Sequence, residues 1–288
     1  MVRLPPGAAL LRRLPLAIIC RAVGAEFPVT TFARVSLACR SRFGIDKLKH
    51  VEQQNDMKIA LIGYGAMGQL IAAEAKKAGD EIDYVATSRQ VPTSIDELAN
   101  KLRGHDVAID FSIGEAVPRN IQACLLAGVP VVEGTTGWKT QEEEIKRLVR
   151  ENAGTLVYGA NFSIGVNVFY RIISHASQLF SAVGGYAPFI EEAHHSRKRD
   201  APSGTALRLR DLMTEHLDCD VPTSSTRAGH IPGTHQVGFD AEADQITLTH
   251  TARSRQGFAA GALLAARWVI GRKGVYEFSD VVDEILKG

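Results

Sequence analysis

Hydrophobic positions fall into a repeating rhythm from Met57 onward. Met57–Ile62 (MKIALI) is an unbroken apolar block, the pattern of a strand buried on both faces. Gln69–Ala78 follows with helical character, and Gly79 is placed to stop it. The alternation continues with strands expected over Glu81–Ala86, Val107–Phe111, Val129–Glu133 and Thr155–Tyr158, and helices over Ala116–Ala127 and Gln141–Asn152. Strands separated by helices of this length predict βαβ units and a parallel sheet with right-handed crossovers. After Asn161 the rhythm changes. The pattern predicts a long helix over Val166–Val183, a strand at Pro188–Glu192 and a helix over Leu207–Leu217. Strand-like runs follow at Ser224–Arg227, His235–Phe239 and Gln245–Ala252, then an Ala-rich helix over Phe258–Ile270. Strand runs without helices between them predict a mixed or antiparallel sheet. A last helix near Phe278–Leu286 is expected to pack back on the first unit.

The fold class is therefore α/β, a parallel-sheet domain over residues 57–163 joined by a smaller α+β domain with a mixed sheet over 164–270, the end of the chain (271–288) returning to the first. Residues 1–56 stand apart. Arginines at positions 3, 12, 13, 21, 34, 40 and 42 face one acid, Glu26, before Asp46. Arg-rich, acid-poor composition is that of a transit peptide, Leu14–Cys20 has the look of a short secretory apolar region, and an upstream extension from a misassigned start is the bland alternative. On each reading the segment is expected to lie outside the catalytic fold and to be poorly ordered.

Composition narrows the class further. The formal net charge is +1, so no global field selects nucleic acid or an anionic membrane as partner. No apolar run approaches the roughly 20 residues of a spanning helix. Cys20, Cys39, Cys124 and Cys219 lie far apart without C-x-x-C spacing, which argues against a zinc site or a disulfide framework and suits a reducing compartment. The expected location is the cytoplasm, or a plastid if the extension is a transit peptide.

Between the first strand and helix lies Gly63-Tyr64-Gly65-Ala66-Met67-Gly68. In this setting the first glycine makes the tight turn, the second lets backbone approach a pyrophosphate, and the third lets helix and strand pack closely. This is the pattern of a Rossmann domain holding a dinucleotide at a helix N-terminus. The acid that would hold a ribose 2′-hydroxyl is missing, since the second strand ends Ala86-Thr87-Ser88-Arg89. Ser88 does not repel a 2′-phosphate and Arg89 attracts one, which favours NADPH over NADH. Two later loops follow strand ends, where ligands bind in open parallel sheets: Gly134-Thr135-Thr136-Gly137 and Gly159-Ala160-Asn161-Phe162-Ser163. Taken alone, each is more often an ordinary loop.

The densest chemistry runs from Glu191 to Ala206 (EEAHHSRKRDAPSGTA). It gathers two histidines, three consecutive cations and a Ser-Gly-Thr at a helix start, a combination suited to an anionic substrate. Ser203 or Thr205 can cap the helix while free N–H groups of its first turn bind a carboxylate. Adjacent histidines on a strand point to opposite faces, so His194 and His195 do not chelate together. A metal site built from His194, His230, His235 and His250 has no supporting ligand spacing, and no metal is expected.

This run resembles the signature of the dihydrodipicolinate (4-hydroxy-tetrahydrodipicolinate) reductases. The resemblance extends to the glycine loop, to Gly134-Thr135-Thr136, to Ala160-Asn161-Phe162-Ser163-x-Gly165-Val166-Asn167 and to His250-x-Ala252-x-Ser254-Arg255-x-x-Phe258-Ala259-x-Gly261-Ala262, and spans Met57 to about Leu286. It implies a homotetramer reducing dehydrated 4-hydroxy-tetrahydrodipicolinate, a small dicarboxylate, to tetrahydrodipicolinate in lysine and diaminopimelate biosynthesis. Carried over by motif, it implies His194 as proton donor or acceptor, Lys198 as cationic proton donor, His195 as a substrate contact, and Gly204 with Thr205 as the carboxylate site. Two departures stand out: Ser88 replaces the cofactor acid, and the loop from Arg227 to His235 is only partly like the family's. The rival readings are another Rossmann reductase of amino or imino acids, similar to aspartate dehydrogenase, and a non-catalytic nucleotide sensor. The first lacks the His-His-x-x-Lys run, and the second would have lost its histidine and lysine.

Overall fold

The computed structural model describes residues 56–87, 89–90 and 94–287; the expectations for residues 1–55 and for Ser88 lie outside them. The first lobe alternates as its hydrophobic rhythm requires: β1 (Lys58–Ile62), α1 (Ala66–Ala78), β2 (Glu81–Ala86), α2 (Ile95–Leu102), β3 (Val107–Asp110), α3 (Val117–Ala127), β4 (Val131–Glu133), α4 (Glu142–Glu151) and β5 (Thr155–Tyr158). The second lobe holds α5 (Ile164–Val183), β6 (Ala187–His194), α6 (Gly204–Thr214), β7 (Thr223–Arg227), β8 (Thr234–Asp240) and β9 (Gln245–Thr251). The chain then closes with α7 (Gln256–Val269), β10 (Gly274–Glu277) and α8 (Phe278–Lys287).

The first sheet is six-stranded and parallel throughout, in the order β10-β5-β4-β3-β1-β2. From β1 the chain steps outward to β2 on one side and, from β3, outward on the other. The loop after β1 therefore sits at the topological switch point, where an open α/β sheet leaves its ligand crevice.

Two elements carry no pattern strong enough to announce them. The helix α2 fills part of the stretch between Ala86 and Val107, where the pattern predicts no element. It is eight residues long and starts where the Ser94 hydroxyl accepts the Glu97 N–H at 3.2 Å. Strand β10 is four residues long and exists by pairing with β5 at the sheet edge. A third difference concerns α7, expected within the second domain. Its buried residues Ala259, Ala262, Leu263, Ala265, Ala266, Trp268 and Val269 join the first lobe's core with Ile59, Leu61, Ile109 and Val157. Small alanines let the helix lie close to the sheet, and the Arg267 guanidinium donates to Asp80 at 2.6 Å in a buried ion pair. The final helix also returns to this core, through Phe278, Val281 and Val282.

The second sheet is mixed, in the order β7-β6-β8-β9, with β6 and β7 parallel and the other pairs antiparallel. Its inner face packs on α5 and α6 through Phe169, Ile173, Ile190, Leu209, Met213, Val237 and Phe239. Register sets Ser225, Glu192, His235 and His250 side by side in one row across that face. The strands run past the Pro188–Glu192 expectation as far as His194, and α6 begins at Gly204 rather than Leu207 because Ser203 caps it, its hydroxyl accepting the Ala206 N–H at 3.2 Å. Among the described residues, no helix is long and apolar enough to cross a membrane.

Candidate active site

The three loop glycines separate by what a side chain would meet. At Gly63, where φ is +89°, an added Cβ would stand 2.5 Å from the Phe111 carbonyl oxygen. At Gly68 it would stand 2.2 Å from the Gly63 carbonyl oxygen. Both positions are closed by the protein's own backbone. At Gly65 an added Cβ meets nothing within 4 Å. This residue is the N-cap of α1, whose first turn carries no acid. Open space in front of free N–H groups and a positive helix end is the cradle a pyrophosphate needs. Tyr64 and Ala66 are exposed beside it, and Arg89 is exposed in the turn after β2.

Under the loops after β3 and β4 lies a pair of carboxyls that no spacing announced. Asp110 and Glu133 end otherwise apolar strands and are fully buried. Asp110 accepts the Ser112 N–H at 2.8 Å and the Asn120 amide at 2.7 Å, and Glu133 accepts the Thr135 N–H at 2.7 Å. Burial, and then the neighbouring Asp110, pushes the Glu133 carboxyl well up. The pair holds the loops after β3 and β4 in fixed relation. Thr135 is thus tied inward, while Gly134 and Thr136 face the cleft.

The cleft itself, about 1080 Å³, runs between these loops and the second lobe. Met67, Gly134, Thr136 and Gly159 through Phe162 line one side; His194, His195, Lys198, Gly204 and Thr205 line the other. Asn161 joins the two sides, its side-chain amide donating to the Thr205 hydroxyl at 3.2 Å. Of the three consecutive cations only Lys198 lines the cleft, its ammonium 2.8 Å from Asp200; Arg197 and Arg199 are exposed.

Glu192, to which the sequence by itself gives no role, lies at the centre of the basic side. The residue is 3% exposed, and its carboxylate gathers the site. One oxygen accepts from the Ser203 N–H at 2.9 Å, the Ser225 hydroxyl at 2.7 Å and the Arg227 guanidinium at 2.6 Å. The other lies 3.2 Å from His194 Nδ1 and 3.7 Å from His235 Nε2. Burial opposes the charge, but bonds from Ser203, Arg227 and Ser225 hold Glu192 down at about 2. Burial lowers His194 and takes His235, also beside His194, to about 4. One signal was available: Glu192 and His194 are two apart on a strand, hence on one face. Arg227 and His235 come from other strands and left none.

Glu192, His194 and His235 also offer ligand atoms within 4.8 Å of one another, a grouping the histidine spacing did not suggest. The Arg227 guanidinium already neutralises Glu192, and Lys198 adds positive charge, so the surroundings oppose a dication.

A Rossmann lobe whose loops share one cleft with a histidine, a lysine and a capped helix start is that of a nicotinamide-dinucleotide oxidoreductase. The family profile described as dihydrodipicolinate reductase, N-terminus, matches residues 57–162, and the one described as dihydrodipicolinate reductase, C-terminus, matches 165–282. The chain belongs to the dihydrodipicolinate reductase family. It is similar to the 4-hydroxy-tetrahydrodipicolinate reductase of Christiangramia forsetii, 35% identical over 250 residues covering 80% of this chain and 100% of that one. The reductase of the same name from Methanocaldococcus jannaschii is 33% identical over 84% of this chain and 93% of that one. A solved dihydrodipicolinate reductase from Paenisporosarcina sp. TG-14, bound to dipicolinate, shares the fold with a TM-score of 0.62 at 22% identity, over 78% of this chain and 99% of that one.

The glycine geometry makes a sharp prediction. Gly65→Val is expected to leave the melting temperature unchanged, because the protein has room for the side chain. Affinity for both NADPH and NADH should fall on the order of 100-fold, because the pyrophosphate does not. Unchanged cofactor titrations in the folded variant would remove the loop from the binding site.

Proposed function

We propose that this chain reduces the dehydrated form of 4-hydroxy-tetrahydrodipicolinate to tetrahydrodipicolinate, in the biosynthesis of lysine and diaminopimelate, with NADPH as the preferred dinucleotide and NADH as an alternative. The observation that carries this reading is the joining of the His194–Lys198 segment and the Ser203-capped helix start to the nicotinamide-side loops in one cleft. The curated relatives' shared name supports the substrate.

In this proposal the first lobe, with α7 and α8, holds the cofactor. When bound, the nicotinamide supplies the hydride. Gly204 and Thr205 receive one substrate carboxylate at the N-terminus of α6, and His195 contributes to holding the other. Asn161, fixed to Thr205, keeps the nicotinamide-side loop in register with that helix start. Reduction of the conjugated imine moves electron density to the far end of the system, where a proton must arrive. The Lys198 ammonium and the His194 ring stabilise that charge and supply the proton. Ser88 lies outside the described residues; Arg89 is exposed and open to a 2′-phosphate. The second sheet leaves one face, with Glu191, Gln236 and Thr249, uncovered by α5 and α6, and this face supports the homotetramer reading.

Three measurements test these assignments. His194→Gln and Lys198→Ala should each lower kcat by about 10²–10⁴-fold while NADPH affinity and melting temperature hold. The double variant should lose less than the product, because groups serving one proton are not additive. Near-normal turnover in both single variants would return the segment to an ordinary basic loop. Arg89→Ala should weaken NADPH by about tenfold and NADH little; equal effects would remove the phosphate assignment. Sedimentation of the full chain should give a tetramer, and a monomer at assay concentration would exclude it.

A further inference from the structure

We propose that Glu192 is a positioning residue for the reduction: its carboxylate holds the His194 ring with the proton on Nδ1 and ties that ring to the backbone that receives the substrate carboxylate. The inference rests on His194 serving the proton step, as assigned above. Its own footing is the way the two oxygens of Glu192 are used.

Glu192 and His194 share the inner face of β6. The first oxygen is saturated by Ser203, Ser225 and Arg227. Among the described residues the second approaches two histidines, His194 Nδ1 at 3.2 Å and His235 Nε2 at 3.7 Å. Among the described residues neither this oxygen nor His194 Nδ1 has a hydrogen-bond partner, and their 3.2 Å contact is a close approach not aligned as a hydrogen bond. A neutral imidazole carries its proton on one nitrogen and a lone pair on the other. A lone pair on Nδ1 would face a buried carboxylate oxygen, two acceptors in contact away from water. With the proton on Nδ1 the contact becomes an attraction between an N–H and a carboxylate, and Nε2 is left to exchange the substrate's proton. His194 Nε2 lies beside Gly233 in the cleft wall, where an added Cβ would stand 3.1 Å from it.

The same carboxylate reaches the substrate anchor. The Ser203 N–H it binds belongs to the cap of α6, and the Ser203 hydroxyl, which accepts the Ala206 N–H, also lies 3.1 Å from His235 Nε2. One buried charge therefore sets the ring that moves a proton and the turn that holds an anion. The groups facing His194 are Glu192 on its own strand, Arg227 on β7, Lys198 and Asp200 from the following loop, and the His235 ring on β8 at 5.0 Å. Glu192 and Asp200 favour the imidazolium; Arg227 and Lys198 oppose it.

The test is Glu192→Gln, which keeps shape but turns an NH₂ group toward Nδ1. The neutral ring should then move its proton to Nε2. We expect kcat to fall about 10²-fold, with a much smaller change in substrate KM and none in NADPH affinity. The pH–rate limb lost in His194→Gln should move to lower pH in Glu192→Gln, because the imidazolium loses its counter-ion, and to higher pH in Arg227→Gln. Nitrogen-15 NMR of the histidine rings in the full chain, assigned through His194→Gln, should find neutral His194 protonated on Nδ1. This wild-type measurement decides the matter even if Glu192→Gln does not fold, and a ring protonated on Nε2 overturns the inference. So does a folded Glu192→Gln protein with unchanged kcat and an unmoved limb. If His194→Gln is inactive while Glu192→Gln is normal, only the positioning role falls; if His194→Gln turns over normally, both fall.

Discussion

The second lobe depends on one buried charge. Removing a carboxylate from water costs several kcal/mol unless the protein replaces the lost hydration. Around Glu192 the replacement comes from two separate segments, the cap of α6 and two residues of β7, while a histidine of β6 and one of β8 stand beside its other oxygen. Each partner fixes its own segment relative to the others. The strands must pair in this register, and α6 must start at this point, or the charge is left unsatisfied. The geometry of the cleft's basic side follows from that requirement.

The first lobe reaches the same end by different means. Its ligand crevice comes from topology, since the order of a parallel sheet reverses beside β1. Within the crevice, backbone closeness does the shaping: Gly63 and Gly68 press against neighbouring carbonyls, and Gly65 leaves space. Buried Asp110 and Glu133 do for the loops after β3 and β4 what Glu192 does for the opposite wall. Both halves of the site are thus positioned by carboxyl groups withdrawn from solvent, because an acceptor with no competing water holds its donors closely.

The two walls are brought together by contacts that belong to neither lobe's own pattern. Asn161 bonds Thr205 across the cleft, and Arg171 on α5 bonds Asp283 on α8 at 2.5 Å. The chain leaves the second sheet to lay α7 and α8 on the first lobe's core. The second lobe is consequently held at both of its ends by the first, which suits a site whose hydride donor and proton donor must meet one small molecule.

Much of this was legible in the residues alone. The βαβ rhythm is local, because apolar blocks and helical spacing record each segment's own burial. The glycine loop and the run from Glu192 to Thr205 are contiguous, so their chemistry could be recognised before any folding was known. What the linear pattern left open depends on distances between remote segments. Arg227 and His235 reach Glu192 only through strand register. Lys198 is singled out from Arg197 and Arg199 by which side chain turns into the cleft. Strand β10 is a strand because β5 lies beside it, and α7 belongs to the first core because its alanines fit there. Periodicity reports what a residue faces, whereas charge neutralisation, edge pairing and close packing are set by the neighbour that tertiary structure brings, and those the fold alone decided.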